Sequence, residues 1–182
     1  VKKRKSNSSM SELGSKIKQS PSLKARALRL LSLREYSRKG MAAKLAESEQ
    51  RWARLSKTEL EESPPVKSTA VEIDAILDDF EARGWLSDER FAEALVRRRS
   101  ERYGLRKIQD ELERAGVDSS KSASLLKTLK ETEYQRAYEL WSRKFGVLAQ
   151  DQKGRAKQYR FLASKGFSSE VVSKVISGQR QD

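Results

Sequence analysis

The sequence predicts an all-α protein of three tandem three-helix repeats, helix-turn-helix-like, in an elongated arrangement. Three observations predict it. The C-terminal half aligns with itself at an offset of fifty residues, pairing Phe91 with Trp141, Leu95 with Phe145, Leu112 with Leu162, Gly116 with Gly166, and Leu125-Leu126 with Val175-Ile176. A third copy lies upstream at an offset of sixty-seven, pairing Tyr36 with Tyr103, Met41 with Ile108 and Leu45 with Leu112. Apolar residues recur throughout at helical spacing and stop at glycines. Self-similarity at this period marks a stack of small units, each needing its neighbours to complete burial. A stack presents a long surface, so binding is expected before catalysis.

Residues 1–21 read as a disordered basic tail, in which Lys2, Lys3, Arg4, Lys5, Lys16 and Lys18 outnumber Glu12. Met10 is a candidate physiological start. The first repeat is expected over 22–86. It opens at Ser22 with a helix whose Ala27, Leu30 and Leu31 share a face. A second short helix is expected from Ser37 to Ala46, followed by an irregular insertion at about 48–68 that accounts for the longer offset. Trp52 inside the insertion reads as an anchor onto the first repeat. Thr69 and Glu72 then form a capping box, and the helix they open buries Ile73, Ile76, Leu77 and Phe80. Its outer face carries Glu72, Asp74, Asp78, Asp79 and Glu81.

The second repeat, 87–130, starts at the cap residue Ser87, with Asp88 and Glu89 at the positive end of the helix dipole. Phe91, Ala94 and Leu95 face inward. A helix with Leu105, Ile108 and Leu112 follows Tyr103-Gly104, and Asp118 caps a third with Leu125, Leu126 and Leu129. The third repeat, 131–178, carries the clearest stripe: Tyr134, Ala137, Tyr138, Trp141 and Phe145. Its second helix, from about Asp151 to Lys165, packs through Tyr159, Leu162 and Ala163. Its last helix, Ser169 to Ile176, uses Val171, Val172, Val175 and Ile176. Gly84-Trp85, Gly116-Val117 and Gly166-Phe167 read as helix stops, where glycine turns left-handed and the next apolar side chain folds back.

Composition narrows the function classes. The chain has 182 residues, a net charge of +13, and charged and hydrophobic fractions of 36% each. That balance fits a thin helical core with attraction to polyanions, nucleic acid first and acidic protein surfaces second. There is no cysteine and no histidine, which removes disulfides, thiol nucleophiles, the usual general base and soft metal ligands. Neither phosphate-cradling glycine motif occurs. No cofactor, no metal and no membrane span are expected, and no catalytic residue is assigned. The pairs Asp78-Asp79 and Asp74-Asp78 read as a solvated acidic face, one that could engage Lys or Arg of a partner or of a neighbouring unit.

The basic residues are the stronger signal. Arg97, Arg98, Arg99, Arg102, Arg106 and Lys107 surround the junction of two short helices. Arg98, Arg102 and Arg106 follow one another at i, i+4 spacing, suiting one phosphate track or one acidic strip. The competing reading is a solvated face paired with Glu101 and Glu111. Lys153, Arg155, Lys157 and Arg160 lie near the corresponding junction of the third repeat, and together the clusters suggest one extended binding stripe.

The run Gly84-Trp85-Leu86-Ser87-Asp88-Glu89-Arg90-Phe91-Ala92, then Arg97 to Arg99, then Tyr103-Gly104-Leu105-Arg106-Lys107-Ile108-Gln109-Asp110-Glu111-Leu112, resembles the RecX family of bacterial recombination regulators. Arg34-Glu35-Tyr36-Ser37-Arg38 with Lys44-Leu45, and Arg160-Phe161-Leu162 with Lys165-Gly166-Phe167, are similar to that family's pattern in the same order. The resemblance covers about Leu23 to Ile176. Gly40-Met41 departs from the acidic residue and Leu common there, and the insertion lengthens the first repeat. The resemblance implies a curved, elongated, cytoplasmic, non-enzymatic monomer. It also implies lodging in the groove of the RecA–DNA filament, with single- or double-stranded DNA within reach, and restraint of RecA's ATP hydrolysis, strand exchange and filament persistence in recombination and repair. Trp85, Phe91, Ile108 and Leu112 are expected to fix packing, and the basic residues from Arg97 to Lys107 to make contact. The alternative is a tandem helix-turn-helix protein that binds DNA directly, without RecA.

Overall fold

The computed structural model describes residues 21–56 and 66–178. The expected basic tail, apart from Pro21, and residues 57–65 of the insertion lie outside the described residues. Among the described residues the chain is all-α. Its helices are α1 (Leu23–Leu31), α2 (Arg38–Ser56), α3 (Val66–Ala82), α4 (Asp88–Arg99), α5 (Leu105–Arg114), α6 (Ser119–Glu131), α7 (Glu133–Lys144), α8 (Gln152–Ser164) and α9 (Ser169–Ser177). They pack in three successive sets of three, with α6 and α7 in contact where the second set meets the third.

Local chemistry explains most of the boundaries. Ser22, Ser87, Asp118, Asp151 and Ser168 each accept a hydrogen bond from a backbone N–H in the first turn of the helix that follows. Such caps satisfy donors that the helix itself cannot. Three helices stop on the same device. Gly84, Gly116 and Gly166 have φ of 68°, 76° and 88°. The next residue then donates across the turn: Trp85 N to Phe80 O (2.8 Å), Val117 N to Leu112 O (3.1 Å) and Phe167 N to Leu162 O (3.4 Å). This is the Schellman arrangement.

Each set has its own apolar core. Leu23, Ala27, Tyr36, Met41, Leu45, Ile73, Leu77, Phe80 and Leu86 form the first. Ala92, Leu95, Ile108, Leu112, Val117 and Leu129 form the second. Ala137, Trp141, Leu162, Phe167, Val172 and Val175 form the third. The positions paired by the sequence offsets, Met41 with Ile108 and Leu112 with Leu162, are all buried.

Four local expectations are corrected. The second helix continues to Ser56 rather than ending at Ala46, because residues 47–56 contain no Gly or Pro and Glu47 pairs with Lys44 (2.7 Å) and Arg51 (3.4 Å) on the helix surface. Residues 48–56 are therefore helix rather than irregular insertion. The Thr69–Glu72 capping box does not open a helix, since α3 begins at Val66. Trp85 is 43% exposed; its ring meets Phe80 edge-on at 5.3 Å and lies under Arg83. Phe91 is half-buried where its repeat partner Trp141 is buried.

The acidic face of α3 is largely occupied within the first set. Arg38 pairs with Glu81 (2.6 Å), Asp78 (2.8 Å) and Asp74 (3.6 Å). Asp79 pairs with Arg83 (2.6 Å) and Lys24 (2.9 Å).

The sets join through one recurring contact. At the first junction, Asp88 accepts a hydrogen bond from Arg38 N at the start of α2 (2.8 Å), and the Ser37 hydroxyl donates to Ala115 O at the end of α5 (2.8 Å). At the second, Glu133 accepts from Leu105 N at the start of α5 (3.0 Å). Gly104 N donates to Lys165 O (3.0 Å) and Arg106 N to Gly166 O (3.3 Å) at the end of α8. Asp88 and Glu133 are both buried, and each is the first residue of its own helix. Each carboxylate thus lies between two helix N-termini, where both dipoles favour negative charge.

Candidate basic interface at the helix junctions

The short turn between α4 and α5 carries the basic cluster, and the third set holds that turn. The Arg136 guanidinium, at the start of α7, donates to Ser100 O (2.9 Å), Tyr103 O (2.8 Å) and Leu129 O (2.7 Å). Burial pushes its pKa below the ordinary value while Glu133 opposes the shift. Arg143 donates to Glu101 O (3.1 Å) in the same turn. Close approach matters here. A Cβ on Gly104 would strike the Gly166 carbonyl and Phe167 N, and one on Gly166 would fall 2.6 Å from Lys107 Cβ. Only glycine at both positions lets α5 and the α8 stop meet this closely.

The predicted contact residues divide. Arg97 and Arg98 are exposed on the last turn of α4, Arg102 is exposed in the turn, and Arg106 is exposed at the second residue of α5. Lys153, Lys157 and Arg160 are exposed on α8 at spacings of four and three, which places them on one side of that helix. None of these seven has a carboxylate within ion-pair distance among the described residues. Arg155 is also exposed, but two residues from Lys153 it points to another side, and it donates to Ala149 O (3.0 Å). Arg99 is half-buried and pairs with Glu111 at 3.0 Å. The expected single helical row of Arg98, Arg102 and Arg106 does not form, because α4 ends at Arg99 and the chain turns before α5. The paired-face reading holds for Arg99 with Glu111 alone.

Sequence reasoning missed the centre of the cluster. Tyr103 is half-buried, with Lys107 Nζ 4.8 Å, the Arg99 guanidinium 5.3 Å and Lys165 Nζ 5.5 Å from its ring centroid. Lys165 also lies 5.7 Å from the Phe161 ring. A tyrosine in a basic segment gives a usable signal, since an electron-rich ring stabilises nearby cations by roughly 0.5–1 kcal/mol at exposed sites. That Lys165 arrives from another repeat could not be read locally.

Three-helix sets joined in series, with exposed basic residues near their junctions, define an all-α repeat protein. Comparison with known proteins gives the family. The family models for the RecX second and third three-helix domains match residues 87–122 and 131–176. A regulatory protein RecX of Leptothrix cholodnii is 41% identical over 85% of this chain and 87% of its own length. One from Herminiimonas arsenicoxydans is 39% identical over 88% and 95% respectively. The crystal structure of RecX from Lactobacillus salivarius superposes with a TM-score of 0.60 at 18% identity, covering 86% of this chain and 93% of that one. That likeness concerns the fold. The chain belongs to the RecX family of regulatory proteins.

Proposed function

We propose that this protein binds the RecA–DNA filament and restrains it, slowing ATP hydrolysis and strand exchange and shortening filament life in recombination and repair. It does so as a cytoplasmic monomer without catalytic activity of its own, using three units, 22–86, 87–130 and 131–178. The observation that carries the reading is the family's regulatory identity joined to a basic surface without carboxylate partners among the described residues, at Arg97, Arg98, Arg102, Arg106, Lys153, Lys157 and Arg160. Units in series suit a helical filament, because several weak contacts made by one rigid rod multiply into useful affinity. Arg99, Lys107 and Arg155 flank that surface and complete the contact set.

The test is ATP hydrolysis by a preformed filament of cognate RecA on single-stranded DNA. Addition well below one copy per RecA subunit is expected to slow turnover, since an extended ligand covers more than one subunit. Unchanged turnover at an equimolar ratio in moderate salt overturns the proposal. If DNA binding persists in that case, the direct DNA-binding alternative takes its place.

A further inference from the structure

The cations around Tyr103 come from two different sets, and one of the three has a carboxylate partner. Arg99 has Glu111, but Lys107 on α5 and Lys165 at the end of α8 have no carboxylate within ion-pair distance among the described residues. One ring shared by three cations offsets only part of their mutual repulsion. Their placement is also rigid. The backbone of Lys107 packs on Gly166, and Lys165 O and Gly166 O accept from the N–H groups of Gly104 and Arg106. Two lysines with fixed backbones thus bring their ammonium groups to 4.8 and 5.5 Å from one ring centroid, without a carboxylate among the described residues to neutralise them.

We propose that Lys107 and Lys165, seated on Tyr103, form a phosphodiester site split across the second and third sets, and that it holds the backbone of a DNA strand. The row on α8 decides between a strand and an acidic protein. Lys153, Lys157 and Arg160 lie along one side of the helix that Lys165 ends, about 10 Å from first to last at 1.5 Å per residue. A linear polyanion engages both the junction and the row, whereas a compact carboxylate patch engages one end. Because the two lysines belong to different sets, the occupied site also ties those sets together. This inference deepens the function proposed above and rests on it for the presence of DNA. Its test uses no RecA, so the two fail separately.

The experiment is equilibrium binding of the full chain to a labelled oligothymidylate across a range of salt, for wild type, Lys107→Gln/Lys165→Gln and the charge-matched control Lys127→Gln/Lys130→Gln on α6. Each phosphate contact contributes about 0.7 to the slope of log K against log salt on a single strand. The junction double variant is therefore expected to lose about 1.4 from that slope, with affinity at low salt down roughly tenfold or more, while the control stays near wild type. Urea unfolding verifies that each variant folds, and Lys165→Gln alone, expected to lose about 0.7, serves if the double variant does not. Three results overturn the proposal: no wild-type binding at low salt, an unchanged slope in the junction variant, or an equal loss in the control. Oligonucleotide binding unchanged in the junction variant would assign the two lysines to a protein surface instead.

Discussion

Single side chains of the second set divide into exposed and buried groups, and mutation distinguishes them. Arg98 and Arg102 are exposed, with no carboxylate partner among the described residues, so Arg98→Glu and Arg102→Glu are expected to change unfolding free energy by no more than about 0.5 kcal/mol each. On the function proposed above, their effect is expected in filament or DNA affinity. Leu112 is 2% exposed at the centre of the second core, and Leu112→Ala is expected to cost about 2–5 kcal/mol by urea titration. Phe91→Ala should fall below the roughly 3 kcal/mol that full burial of its ring would bring, since the ring is only half covered. Acid sensitivity is a residue-scale property as well. Hydrogen bonds from Arg83 and then Lys24 hold the Asp79 carboxyl below its ordinary range. A carboxylate depressed in the folded state adds stability that is fully present above the unfolded pKa of about 3.9 and lost as pH falls through the folded value. Stability should therefore hold from neutral pH down to about 5 and decline below about 4, with Asp79→Asn showing the shallower decline. Identical acid slopes would remove Asp79 from that account. Residues such as Leu112 were legible in the sequence because burial follows spacing along one helix. The exposure of Trp85 was not, because a residue after a glycine stop covers the last turn with one face and leaves the other in water.

At the scale of helices, starts and stops written in local chemistry were readable: Ser87, Asp118, Gly84, Gly116 and Gly166 all act within a few residues of themselves. Two segments mislead. Thr69 and Glu72 spell a capping box inside α3, where the helix already under way from Val66 overrides it. The run from Glu47 to Ser56 looks like part of an insertion because the repeat does not need it, although its own composition is helical. The starts of α2 and α5 fall where the pattern placed them, and Ser37 caps α2 locally by accepting from Gly40 N (3.0 Å), but the carboxylates that also accept from these starts were hidden, since they come from fifty and twenty-eight residues further along the chain. Gly104 provides no side-chain cap, and Glu133 takes that place on Leu105 N. Glu133→Ala leaves that buried donor unsatisfied and is expected to cost about 1–3 kcal/mol. Hydrogen exchange should accelerate at residues 104–108 before the rest of the second set. Uniform acceleration across α4, α5 and α6 would mean the carboxylate serves general stability rather than this helix start.

Across the whole molecule, order in sequence becomes order in space, with each set touching its successor through a helix start, a glycine stop and a buried acid. The repeat made the three-set architecture legible, but the basic cluster was legible only as charge, because the ring that gathers it draws one of its cations from a later repeat. Gly104→Ala probes this scale. The added methyl meets backbone atoms that cannot rotate away, so the second and third sets must separate, at a cost of about 1–3 kcal/mol. Small-angle scattering should register an altered or broadened distribution of lengths, and an unchanged profile with unchanged stability would mean the contact is slack. At both junctions the acceptors for the helix start come from the later set. The second set lends the first a carboxylate, the third lends the second a carboxylate and two carbonyls, while α8 is capped by its own Asp151. A chain leaving the ribosome therefore makes each recipient before its donor. The opening turn of α5 has to wait until Gly166 has been added before its amides find all their partners, so the middle of this protein is finished only after its last repeat has been translated.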